Sequence, residues 1–437
     1  MTRGTGRRLA FACQELKFVP APAALIFKKG HTLFYRRLLT RGHQPSAISA
    51  QHSAWCRIAL SALAFRVVSA LVGAIALLKI PLGAPPQTTL AGRPNAFWDQ
   101  FTRYDAGWYY QIARYGYWFV PGGPSAGVGK PGKIAYFPLY PFTAGYVGRL
   151  FGSSAAAPYL GGIVVSWVAF AAAMVVLFEL ARLDLDETGA RRAVILIAVF
   201  PFSFFFGMVY TESLFLLLTL LAFYAFRRQQ WIGGGLAGAC ATATRVNGIL
   251  MLPALAVTTW RQRPSAPRDR VRAFIGLLLV GGGIAAYSVY VYRLSGNPFE
   301  WAVSITGWNY HPTGAPWVAP VRLIQRLVTE PRHYFGTDPM AAYDTMYGLT
   351  GIAFAAATPV VWYRLGAAYG LFMLVNLWLP LSSGVFEGVG RYCSVLFPFF
   401  IWLASIRSRA VFAVVVAVSL LWYAVALAMF VTLRPLF

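Results

Sequence analysis

The chain has 437 residues, 58% of them hydrophobic and 12% charged, with a formal net charge of +24. A soluble protein of this length needs far more charge on its surface, so composition excludes a water-soluble globular domain and points to a chain crossing a membrane many times. The positive charge would suit nucleic acid, but the cations lie mainly in an N-terminal arm and in short segments between apolar runs, which is how orientation in a membrane is written.

Residues 1–57 hold ten Lys or Arg against one acid, Glu15. Residues 1–55 are therefore read as a basic cytoplasmic arm facing anionic lipid, with no nucleic-acid partner, and 56–437 as one transmembrane domain. The first apolar run starts near Ile58, too far from the terminus for a cleavable leader, so the first span is expected to act as the insertion signal. Hydropathy then predicts about eleven transmembrane helices, near 58–80, 157–181, 193–209, 213–226, 232–244, 248–260, 274–292, 346–363, 367–382, 393–406 and 411–432. Continuous apolar runs exclude the alternating strands of an outer-membrane barrel, which leaves an all-α polytopic membrane protein.

With the arm inside, the short inner loops carry Arg182, Arg191 and Arg192, then Arg227 and Arg228, then Arg261 to Arg272, then Arg364, then Arg407 and Arg409. Two long segments, 81–156 and 293–345, fall outside. This orientation sorts the acids. Asp99, Asp105, Glu212, Glu300, Glu330, Asp338, Asp344 and Glu387 face outward; Glu15, Glu179, Asp184, Asp186, Glu187 and Asp269 face inward.

In the first outer loop, 105–116 reads as a helix with Trp108, Tyr109 and Ile112 on one face, expected to lie at the interface with that face toward the headgroups. A Gly/Pro-rich turn, 121–132, and a second amphipathic piece, 142–150, follow. In the later loop Trp301, Trp308 and Trp317 surround a Pro/Gly-rich stretch, and 321–328 is a further interfacial candidate. Gly127 to Lys133 mimics part of a phosphate loop, but Ile134 stands where Ser or Thr is required and no strand precedes it. The glycines of WIGGGLAGA and Gly281 to Gly283 read as close helix contacts. Cys13, Cys56, Cys240 and Cys393 are too dispersed for a disulfide framework or a zinc site. His311 and His333 lack a second ligand at metal spacing; no metal residue is assigned, and the need for a divalent cation stays open.

Few polar residues remain as candidates. Asp105 is either an N-cap or a base on the reaction face, and Asp99 has nearly the same local pattern. Glu212 either sits in the first turn of a helix capped by Thr211 or Ser213, or is a functional acid at membrane depth. Arg245, with Asn247, and Arg391, with Tyr392, interrupt apolar runs on the outer side, where each arginine either snorkels or meets an anion.

Four stretches in order, RYDAGWYYQIARYGY with AYFPLYP, FPFSFFFGMVYTESLF, ATATRVNGILMLP and GRYCSVLFP, together resemble the PIG-V type mannosyltransferases, which add the second mannose of GPI anchors, and their prokaryotic relatives. The likeness runs from about residue 97 to 406. The family's first motif reads Arg-Trp-Asp, and Tyr104 here stands at the Trp position. The resemblance implies a fold of the GT-C membrane glycosyltransferase type. It places Asp105, rather than Asp99, at the catalytic acid's position, and it implies a polyprenyl-phosphate sugar donor.

On that resemblance the expected reaction is inverting transfer of a sugar, mannose first, to a hydroxyl of a glycolipid, glycan or protein at the outer face. Asp105 and Glu212 are the expected catalytic residues, and Arg245 and Arg391 the donor-phosphate ligands. Arg103, Tyr109, Tyr136, Asn247 and Tyr392 are expected at the substrates. An integral protein of a bacterial plasma membrane is expected from the Ala/Arg/Gly-rich composition, or of the endoplasmic reticulum if eukaryotic. The alternatives are a transporter or lipid flippase, and a GT-C enzyme using another sugar such as arabinose or glucose. Transporters gather ionisable groups near the midplane, whereas here they gather at outer turns.

Overall fold

The computed structural model describes residues 45–85, 95, 97–119, 132–306, 314–336, 341–383, 386, 388–434 and 436. The arm before Pro45, most of the 121–132 turn, Trp308, His311, Asp338 and Glu387 lie outside the described residues. The described residues form helices and turns, with no strand among them. The chain divides into two compact units, Met1–Trp55 and Cys56–Phe437.

The first helix, α1, is Pro45–Lys79. After it come α2 (Ala106–Tyr115), α3 (Leu139–Gly148), α4 (Ala157–Ala181), α5 (Glu187–Val199), α6 (Glu212–Arg227) and α7 (Trp231–Thr244). The chain goes on through α8 (Leu252–Gln262), α9 (Pro267–Val280), α10 (Gly282–Ser295), α11 (Glu300–Thr306), α12 (Val318–Thr329) and α13 (Pro331–Gly336). It ends with α14 (Ala341–Leu365), α15 (Ala367–Leu381), α16 (Val389–Ser394), α17 (Phe397–Ala404) and α18 (Arg409–Val431).

Among the described residues four helices are long and apolar enough to cross a membrane: Gln51–Lys79, Ala157–Ala181, Tyr343–Leu365 and Arg409–Val431. Two bent pairs raise the number to six, Glu187–Val199 with Pro201–Gly207 at 81° and α9 with α10 at 43°. Several expected spans are thus broken. Pro201 has no N–H to continue α5, so 193–209 becomes a helix followed by a 3-10 turn. Pro398 separates α16 from α17 in the same way, and α8 begins only after a 3-10 turn at Val246–Met251. Glycine-mediated approach is real but selective. A Cβ on Gly235 would strike the Gly276 carbonyl, and one on Gly283 the Ala239 carbonyl, whereas Gly233 faces open space.

The inner loops meet at one end of the second unit. Asp184 pairs with Arg227 at 2.9 Å, the Tyr369 hydroxyl donates to Asp184 at 3.2 Å, and Arg192 donates to the Ile406 carbonyl at 2.6 Å. Each partner belongs to a segment expected on the cytoplasmic side.

Helix α2 corrects one expectation. The face carrying Tyr109 and Ile112 is buried, packed on Tyr136, Tyr140, Tyr210 and Ile134, and does not turn to the headgroups. Rings that looked lipid-facing by spacing are the floor of the outer end, because 132–138 folds over them. The later amphipathic helix, α12, buries Ala319 and Leu323 and exposes Val321, Ile324 and Val328.

Candidate functional site

The break after α5 brings the first two motifs together. The Val209 amide donates to the Phe101 carbonyl at 3.1 Å, and Trp167 Nε1 donates to the Gly207 carbonyl at 3.0 Å. These bonds hold the turn so that Tyr210, Thr211 and Glu212 lie beside 103–105. Tyr104 has φ of 50°, left-handed backbone that a bulky residue rarely adopts, and its hydroxyl donates to the Arg434 carbonyl at 2.7 Å. This twist turns Asp105 away from its neighbours.

Asp105 stands at the N-cap position of α2, yet its side chain caps nothing. Its Oδ2 accepts from Arg391 Nη1 at 2.7 Å and its Oδ1 from the Tyr136 hydroxyl at 3.1 Å. Its own amide donates to the Tyr210 hydroxyl at 3.2 Å, and that hydroxyl donates to the Arg103 carbonyl at 3.1 Å. Glu212 likewise makes no cap bond to α6. Its Oε1 accepts from Arg245 Nη1 at 2.5 Å and from Arg391 Nε at 2.8 Å. Arg245 also donates to the Thr211 hydroxyl at 3.2 Å and lies 5.5 Å from the Tyr392 ring; Arg391 lies 4.7 Å from the Tyr210 ring.

Four motifs distant in sequence therefore converge on two carboxylates and two guanidiniums, a neutral set in which every charge has an opposite partner. Buried charges are tolerated in such an arrangement and costly outside it. Accessibility divides the roles. The Glu212 side chain has no exposed surface, Arg391 and Arg245 retain 13% and 15%, and Asp105 retains 24%. Glu212 is thus in contact with the arginines and closed to a substrate, while Asp105 is the open carboxylate of the set.

Tyr136 is held from both sides. The Tyr117 hydroxyl donates to its carbonyl at 2.6 Å, the Tyr287 hydroxyl donates to the Ile134 carbonyl at 2.8 Å, and the Trp108 ring stacks on it at 5.9 Å. Burial, and after it the Asp105 charge, push its phenol well above the ordinary range, so it remains a proton donor to Asp105.

Other expected residues sit elsewhere. Arg103 is buried and turned from the cluster, its Nε donating to the Val431 carbonyl at 3.0 Å. Tyr109, by contrast, is buried at the cluster against Tyr136 and Tyr210, where it feels the charges of Asp105, Glu212, Arg391 and Arg245. Asn247 is buried beside Arg245 in sequence, its Nδ2 without a partner. Asp99 is buried and accepts from the Asn95 amide at 2.9 Å, a local structural role. Sequence reasoning missed Tyr210, which joins Asp105 to Arg391; its only signal was its place two residues before Glu212. No cluster of three or more His, Cys, Asp or Glu exists among the described residues. A divalent cation at Asp105 and Glu212 would have to displace the guanidiniums, just as an anion at Arg245 and Arg391 would have to displace the carboxylates.

The model of the dolichyl-phosphate-mannose-protein mannosyltransferase family matches residues 130–292, which hold Tyr136, Glu212 and Arg245. No curated protein matches the chain. Among solved structures, an Archaeoglobus fulgidus oligosaccharyltransferase in complex with Zn and sulfate is 13% identical over 85% of this chain and 52% of its own, with a TM-score of 0.44. ArnT from Cupriavidus metallidurans bound to undecaprenyl phosphate is 13% identical over 85% of this chain and 76% of its own, with a TM-score of 0.46. The archaeal oligosaccharyltransferase AglB from Archaeoglobus fulgidus, with an inhibitory peptide and a dolichol-phosphate, is 15% identical over 84% and 55%, with a TM-score of 0.40. The chain spans about half the length of the oligosaccharyltransferases it matches. Over 130–292, the chain is similar to a family of glycosyltransferases.

Proposed function

We propose that the chain is a GT-C type membrane glycosyltransferase of the PIG-V kind, moving mannose from a polyprenyl-phosphate donor to a hydroxyl on a glycolipid, glycan or protein at the outer face of a bacterial plasma membrane. The observation that carries this reading is the placement of Asp105, the partly exposed carboxylate of the cluster, bound to Arg391, which Glu212 links to Arg245, two guanidiniums that suit a phosphate. Similarity of 130–292 to the mannosyltransferase family supports it.

In this reaction the acceptor oxygen attacks C1 of the sugar from the face opposite the phosphate, and its proton passes to Asp105. The C1–O bond to the lipid phosphate breaks, its electron pair leaving on the phosphate oxygen, where Arg245 and Arg391 offset the charge. Glu212 acts through the arginines as a positioning residue. Tyr136 orients the Asp105 carboxylate, and Tyr392 lines the arginine side.

The test is purified full-length protein with a panel of labelled polyprenyl-phosphate sugars. Wild type should use the mannose donor, and Asp105→Asn should lower turnover by about 10²–10⁴ with unchanged thermal unfolding. Near-normal turnover by that variant would remove Asp105 from the chemistry. Arg245→Ala should raise the donor KM more than the acceptor KM.

A further inference from the structure

At the end of the second unit opposite Asp105, a cavity of about 350 Å³ opens between α1, α4 and α5. Its walls are apolar, with Ile58 and Phe65 from α1 and Val194 and Val199 from α5, and two arginines, Arg57 and Arg191, complete the lining. With the arginine-rich short loops taken as cytoplasmic, both helices run outward from that side, so Arg57 and Arg191 share the level of the inner surface. Phe65 and Val199 share a level about 12 Å deeper, at 1.5 Å of helix per residue. The slot therefore has a cationic mouth at headgroup depth and a hydrocarbon floor.

The mouth is not neutralised by its own acids. Glu187 binds Arg191 at 2.7 Å and also feels the charge of Arg57, while Arg182 has its own partner in Glu179 at 3.2 Å, so Arg57 and Arg191 share one exposed Glu between them. Asp186 is occupied in capping α5, accepting from the Gly189 amide at 2.7 Å. The volume lies within the range of small-ligand pockets, and the polarity runs as an amphiphile's does.

We propose that this slot binds an anionic phospholipid of the cytoplasmic leaflet, one acyl chain between α1 and α5 and the phosphate on Arg57 and Arg191. A zwitterionic lipid carries a cation that these arginines repel. The lipid-linked sugar donor belongs at the other end, with Arg245 and Arg391. The site is independent of the proposed transfer reaction, since neither arginine touches the catalytic groups.

Native mass spectrometry of the detergent-purified full chain tests it, with phosphatidylglycerol, phosphatidylcholine, a polyprenyl phosphate and inorganic phosphate as probes. Phosphatidylglycerol should be retained at least tenfold better than phosphatidylcholine. The pair Arg57→Gln and Arg191→Gln should lower its retention about thirtyfold, two cations being lost from an anionic partner. Ala62→Trp, which fills the slot and keeps both arginines, should also lose phosphatidylglycerol, with thermal unfolding as the folding control for each variant. Equal retention of the two phospholipids would overturn the proposal. So would full retention by both variants, displacement by inorganic phosphate, or loss of polyprenyl phosphate instead of phosphatidylglycerol.

Discussion

At the scale of single residues, the decisive atom group is the Arg391 guanidinium, which holds Asp105 with one nitrogen and Glu212 with another. Replacing Glu212 by Ala would leave Arg245 and Arg391 without their shared acid, a loss of about 3–5 kcal/mol that thermal unfolding in detergent would record. Tyr210→Phe should be milder and different in kind. It removes the hydroxyl between the Asp105 amide and the Arg103 carbonyl, so kcat should fall about tenfold with the donor KM little changed; a change in KM alone would assign Tyr210 to binding. The sequence named Asp105, Glu212, Arg245 and Arg391 and placed them on one side, because polar residues at the ends of apolar runs are few. It did not reveal that Arg103 turns to Val431 while Asp105 turns to Arg391. That divergence rests on the left-handed backbone at Tyr104, which no residue type announces when the residue is not glycine.

At the scale of elements, hydropathy located α4 with its observed bounds but passed over the break at Phe200, because Pro201 stands in a run of phenylalanines that reads as continuously apolar. The break frees backbone carbonyls in the interior, and Arg66, on α1, answers them. Its Nη1 donates to the Ser203 carbonyl at 2.7 Å and its Nη2 to the Ala198 carbonyl at 3.4 Å, with the guanidinium 4.3 Å from the Phe170 ring. An arginine inside a first span was a signal available in the sequence. Arg66→Leu should leave those acceptors unmet, at about 1–3 kcal/mol each, and lower the unfolding temperature. Activity should fall with it, since the same break carries Tyr210 and Glu212 to the site. An unchanged unfolding temperature would deny Arg66 this role.

At the scale of the whole membrane domain, the sorting of loops to two ends was legible because charge is distributed so unevenly, and the orientation drawn from it is an expectation that labelling tests. Inner-loop residues such as Asp184, Arg227 and Tyr369 meet one another, as do the outer-turn residues around Asp105. The later outer loop was legible only in kind, since its short helices depend on packing rather than on a strong apolar period. Cysteine labelling in right-side-out vesicles checks the orientation in a cysteine-free background. Ser154→Cys should react with an impermeant maleimide, and Ser265→Cys should react only after permeabilisation; the reverse pattern would invert the molecule.

Beneath the four charges lies a layer of rings and aliphatic side chains, Phe202, Phe204, Phe205, Phe206, Leu216 and Leu220, all without exposed surface. That layer is an electrical insulator. On the proposed mechanism, a proton taken from an acceptor at Asp105 would leave on the side from which it came, and the sugar and the phosphate would stay on that side too. Turnover would then move no charge through the membrane, and its rate should be the same in vesicles held at zero voltage and in vesicles polarised by a potassium gradient with valinomycin.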